Sequence, residues 1–103
     1  MEEYKLVFDR KFVKEYRKLD KSLQIEGDKK IMRLKTNPKE IGKPLKFFPN
    51  LYELHIRMYR IYYVIQEREI KVLLLSVLHK DEQEKFLRSI TKEVIKRIIE
   101  ENS

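Results

Sequence analysis

The residues best suited to chemistry lie in one short stretch, "LYELHIRMYRIYYVIQ", residues 51 to 66. With the two-residue period of a strand, Tyr52, Leu54 and Ile56 point one way, and Glu53, His55 and Arg57 point the other. An acid, an imidazole and a guanidinium then share one face. In the next strand Arg60, Tyr62, Val64 and Gln66 alternate with Ile61, Tyr63 and Ile65. Matching the apolar faces puts Arg60 and Tyr62 beside Glu53, His55 and Arg57. A third strand, "IKVLLLSVL", runs into His79 and Lys80, so an imidazole and an ammonium leave the sheet together.

This set suits cleavage of an RNA phosphodiester. Attack by the ribose 2′-hydroxyl needs a base, an acid for the leaving 5′-oxygen, and cations on the phosphorane. Histidine titrates near about pH 6.5, so His55 or His79 can take or give a proton at neutral pH. Glu53 is a further candidate base, or the group that orients a histidine. Arg60, Arg57 and Lys80 can stabilise added negative charge, and Lys46 in the preceding loop is another cation for substrate. Tyr52, Tyr59, Tyr62 and Phe86 offer rings on which bases could stack. Singly, each residue has a plainer reading. Glu53 and Arg57 fit a solvated charge ladder, His55 a surface imidazole, His79 and Lys80 turn chemistry, and Phe86 core filling. Their convergence on one surface favours a site. The His and acid spacings match no metal site, and two glycines leave no phosphate-cradling loop, so neither metal nor cofactor is expected.

The elements that must position these groups follow from periodicity. "YKLVFD" reads as a first strand, and Asp9 caps a helix with Phe12, Val13, Tyr16 and Leu19 on one stripe. "LDKS" breaks the chain, with Asp20 or Ser22 as the next cap. A second helix then carries Leu23, Gly27, Ile31 and Leu34 on one face until "NP" ends it. Gly27 on that stripe implies a close approach of the two helices. A loop with all three prolines leads into the three strands, and "EREI" makes the turn before the last of them. A final helix over about residues 81–101 starts at Asp81 and Glu84 in a capping-box arrangement, with Thr91 able to restart it at an angle. The order β-α-α-β-β-β-α predicts an α+β domain, an antiparallel sheet packed against an N-terminal helical hairpin.

Composition sets the limits. A chain of 103 residues is read as one domain, residues 1–103. The apolar fraction is 42% and the charged fraction 40%, so the core must come from short, well-patterned elements. Lys and Arg number 24 against 17 acids, a net charge of +7 that favours an anionic partner. The absence of cysteine excludes disulfides and thiolate chemistry and fits a cytoplasmic location. The N-terminus has no signal-peptide pattern, and "VLLLSVL" is too short to span a bilayer, so no membrane role is expected.

The element order and "PLKFFPNLYELHIRMYRIYYVIQEREIKVLLLSVLHKDE" resemble the RelE/ParE superfamily of toxin–antitoxin toxins. The resemblance covers nearly the whole chain and is most specific at "LYELHIR", at "YRIYYVI" and at the apolar strand with its basic end. The RelE branch implies an mRNA endonuclease that acts in the ribosomal A site without metal, leaves a 2′,3′-cyclic phosphate and is neutralised by a cognate antitoxin. Arg60 matches the family's phosphate-stabilising arginine in "YR". Lys80 stands where the best-studied branch has an arginine, and His79 where another branch has a catalytic histidine. Glu53 and His55 occupy positions that are lysines in the first branch, and Phe86 replaces its tyrosine. Two alternatives remain at this level: a ParE-like inhibitor of DNA gyrase, and a catalytically weak module that pairs with an antitoxin.

Overall fold

The computed structural model describes residues 3–103. The chain runs β1 (Lys5–Phe8), α1 (Arg10–Arg17), α2 (Lys21–Arg33), a one-turn α3 (Pro38–Ile41), β2 (Lys43–Pro44), β3 (Leu51–Ile56), β4 (Tyr59–Gln66) and β5 (Lys71–His79). A 3₁₀ turn (Lys80–Glu82), α4 (Gln83–Ser89) and α5 (Lys92–Glu101) complete it. The strands lie in the order β1-β5-β4-β3-β2. The α+β class is as expected, but the sheet is mixed: β1 pairs parallel to β5, while the other pairs are antiparallel. Alternation along a strand tells which side chains share a face, and it says nothing about which strand lies next door.

Helices cover both faces of the sheet. On one face Phe12, Ile31 and Leu34 of the helical hairpin pack on Leu54, Ile56, Ile61, Tyr63 and Leu74. Gly27 sits at that contact. A Cβ there would lie 2.5 Å from the Tyr16 hydroxyl and 3.1 Å from Ile56 Cδ1, so Gly27 makes room for the tip of an α1 side chain and for β3 rather than for the α1 backbone. On the other face Phe86, Leu87, Ile95 and Ile98 of α4 and α5 cover Leu51, Tyr62, Val64, Leu73 and Leu75. Packing of the C-terminal stripe on its own sheet is as expected, and the departure lies in which face it covers. The face bearing Glu53 and Tyr62 is no solvated ladder: Glu53 is 7% exposed and Tyr62 is fully buried.

The C-terminal segment is two helices rather than one. Asp81 does not cap it. Instead His79 Nδ1 accepts the Asp81 backbone N–H at 3.1 Å, because the imidazole stands at the strand end where the first free N–H turns back. The Thr91 hydroxyl accepts the Val94 N–H at 3.1 Å and restarts the helix, leaving Ile90 buried at the bend. Pro38, expected to terminate α2, begins α3 instead, where its fixed φ suits a first helical turn. Beyond Leu74 no strand among the described residues flanks the outer edge of β5, and α1 takes over. Glu15 Oε1 accepts the Val77 N–H at 3.1 Å and the Ser76 hydroxyl at 2.8 Å, satisfying an edge that would otherwise be open. Among the described residues no helix is long and apolar enough to cross a membrane.

Candidate active site

The β3–β4 hairpin builds the centre of the site. Its register sets Glu53 opposite Tyr62 and His55 opposite Arg60, as matching of the apolar faces predicts. Glu53 is the hub. Its Oε1 meets His55 Nε2 in a short contact and lies 3.8 Å from Arg60 Nε, while Oε2 accepts the Tyr62 hydroxyl at 3.2 Å and the Gln83 amide at 3.1 Å. The partners arrive from β3, β4 and α4, so the carboxylate ties the sheet to the C-terminal layer. A carboxylate so surrounded by donors holds the imidazole in one orientation, with Nε2–H donated inward and the other ring nitrogen turned away. His55 itself is well exposed, its side chain 44% accessible against 9% for Glu53.

Arg60 is held from two sides. Its Nη1 donates to the carbonyls of Arg57 and Tyr59, each at 3.0 Å, and its Nε is buried beside Glu53 beyond hydrogen-bond distance. The guanidinium is thus fixed in direction before any ligand arrives, with its buried Nε–H unmatched among the described residues. Burial, and then the Glu53 carboxylate beside it, hold the Tyr62 hydroxyl well above the usual tyrosine range. It stays a donor to Glu53 at any ordinary pH.

The other predicted residues divide. Arg57 leaves the strand and forms the two-residue turn with Met58, at φ 53°, and its side chain reaches Glu26 of α2 at 3.5 Å. It does not line the Glu53 face, because the strand ends at Ile56. His79 pairs with Tyr59, whose ring it meets edge-on at 5.4 Å and which packs with the helical hairpin's core, so it faces away from Arg60 and Glu53. Lys80 is exposed at the same end of the sheet as Arg60: its backbone N–H donates to Met58 O at 2.7 Å, in the turn that also holds the guanidinium. Lys46 is exposed in the turn between β2 and β3. Phe86 stacks on Tyr62 with ring centres 4.6 Å apart, and Tyr62, being fully buried, offers no face to a base. That corrects the reading of Tyr62 as a substrate platform. Gln83 was missed, since one amide at a helix start carries no sequence signal until its partner is known. Among the described residues no three His, Cys, Asp or Glu side chains are grouped to hold a metal ion.

Comparison with known proteins agrees with this architecture. Residues 6–84 match the family described as the ParE toxin of the type II toxin–antitoxin system parDE. Over 98 residues, 93% of this chain and 98% of the relative, the chain is 28% identical to the mRNA interferase toxin RelE of Escherichia coli K12. A mutant of E. coli toxin RelE in the free state superposes with a TM-score of 0.73 at 29% identity, over 93% of this chain and 98% of that one. The intact E. coli RelBE toxin–antitoxin complex gives a TM-score of 0.67 at 29% identity, over 72% of this chain and 93% of that one. With the family match covering well over half of its length, the chain belongs to the ParE toxin family of type II toxin–antitoxin systems.

Proposed function

We propose that this protein is a ribosome-dependent mRNA endonuclease of the RelE kind, cutting in the A site without a metal and held in check by a cognate antitoxin in the cytoplasm. The observation that carries the reading is the buried Glu53 carboxylate shared between the exposed His55 and the fixed Arg60. His55, with Nε2 committed to Glu53, presents its other nitrogen as the base for a ribose 2′-hydroxyl. The 2′-oxygen bonds to phosphorus as the P–O5′ bond breaks, leaving a 2′,3′-cyclic phosphate. Arg60 and Lys80 carry the added charge on the phosphorane. Phe86 has no hydroxyl to give, so solvent protonates the departing 5′-oxygen, and the enzyme is correspondingly slow.

The test is primer extension on mRNA after induction in cells lacking the antitoxin. Cuts within translated codons are expected, with loss of cuts and of growth arrest in Arg60→Ala, whose folding is checked by circular dichroism. His55→Ala should lower cleavage about 10²–10⁴-fold, the usual share of a general base. A second reading has its own support in the family description, which names ParE: inhibition of gyrase through protein contacts. Growth arrest without mRNA cuts, unchanged when His55 and His79 are both replaced, would decide for it. No growth effect at all would mark an antitoxin-binding module.

A further inference from the structure

We propose that the cleft along the outer edge of β3 binds a second phosphate of the RNA strand, one step from the phosphate at His55 and Arg60; this deepens the RNA reading above and rests on it. The two-residue β2 pairs with β3 only at Tyr52 and Glu53. From Leu54 onward no strand among the described residues lies beside this edge, and α2 reaches it through a side chain. Lys30 Nζ donates to the His55 carbonyl at 2.8 Å, anchoring the helix to the edge. A cleft of about 400 Å³ remains, lined by the cations Lys30, Arg33 and Lys43, the carboxylates Glu40 and Glu53, His55, and the apolar Ile41 and Leu54. That is within the size range of ligand-binding clefts.

The charges are unbalanced. Lys30 has one N–H on a carbonyl, which leaves its charge uncompensated. Arg33 and Lys43 are exposed, and among the described residues neither has a carboxylate within ion-pair distance. Glu53 has Arg60 beside it as its charge partner, so among the described residues of the cleft Glu40 is the acid left to oppose three cations. Arg33 closes the last turn of α2, where the helix dipole favours a cation. His55 belongs both to this cleft and to the Glu53 cluster. A strand with its reacting phosphate at His55 therefore lays its neighbouring phosphate toward Arg33 and Lys43. Single-stranded RNA supplies a charge at every nucleotide, which is the repeat that two adjoining cationic sites require.

The experiment measures binding of a fluorescent 2′-O-methyl RNA decamer, which cannot be cleaved, across a salt series. Arg33→Gln/Lys43→Gln is compared with the wild type and with Lys92→Gln/Lys96→Gln, an exposed pair on α5 of equal charge. Loss of this one phosphate contact should flatten the slope of log affinity against log salt by about 0.7, the single-strand value per phosphate neutralised. The α5 pair should leave that slope within about 0.2 of wild type. Equal shifts in both variants would overturn the proposal, as would loss of binding to a glutamate decamer with RNA binding intact, which would make the cleft a peptide site. Because the probe is uncleavable, failure of the nuclease reading appears only in primer extension, and failure of the cleft only in the salt slope.

Discussion

Replacing Glu53 by alanine should destabilise the fold far more than loss of an ordinary surface acid. Arg60, 14% exposed with a buried Nε, would keep its charge and lose the carboxylate that compensates it. Breaking a buried ion pair from one side costs about 3–5 kcal/mol. The Tyr62 hydroxyl and the Gln83 amide would lose their acceptor too, at about 1 kcal/mol or more each, although the same cavity and entering water serve all three. A net loss of about 4 kcal/mol is expected, a large part of the roughly 5–15 kcal/mol that holds a domain together. Urea unfolding followed by far-ultraviolet circular dichroism should show the midpoint falling by about 2–4 M, with m near 1–2 kcal/mol/M. In the Glu53→Ala background, Arg60→Met should restore about 1–2 kcal/mol, because the stranded charge is gone. A Glu53→Ala variant within about 1 kcal/mol of wild type would refute the reasoning, since a hub carboxylate cannot be so cheap to remove. Additive losses in the double variant would show that Glu53 and Arg60 are not coupled.

Gly27→Ala should destabilise by about 1–3 kcal/mol despite the roughly 1 kcal/mol gained in helix propensity. The new methyl would displace a Tyr16 hydroxyl that is bonded to Gln24 O at 2.8 Å and Asp28 Oδ1 at 2.7 Å; a stabilised variant in chemical denaturation would contradict this. Burial first, and then neighbouring carboxylates, raise the hydroxyls of Tyr62 and Tyr16, and burial raises Tyr63. The folded state keeps protons that the unfolded chain releases above about pH 10, so this stability is complete below that pH and is lost as pH rises further. For the fully buried Tyr62 and Tyr63 the slope approaches about 2.7 kcal/mol per pH unit. Spectrophotometric titration should show these tyrosines ionising only as the protein unfolds, and six equivalent phenols titrating near pH 10 in the folded protein would disprove it.

Much of the fold was legible in local pattern. The helical hairpin, its contact at Gly27, the three consecutive strands and the restart at Thr91 all depend on periodicity and capping within a few residues. The pairing of His55 with Arg60 and of Glu53 with Tyr62 followed from matching apolar faces across a short turn. The parallel partnership of β1 with β5 was not legible, because residues 5–8 and 71–74 are far apart in the chain and nothing in either segment names the other. Arg57 was misplaced for a smaller reason. The strand ended one residue sooner than alternation implied, and a non-glycine turn at φ 53° left no sequence mark.

The residue types by themselves determined that an acid, two imidazoles and several cations would gather near one end of a small basic sheet. Only the tertiary structure decided what each could do. The C-terminal helices fold back over the Glu53 face, bury its carboxylate among donors from three elements, and turn it from a free base into the support of His55. The same closure removes Tyr62 from reach, and the alternation of β5 carries His79 to the opposite face, where it caps a turn. Charge and periodicity are properties of the chain. Burial, and with it the role of a titratable group, depends on which distant element lands on top.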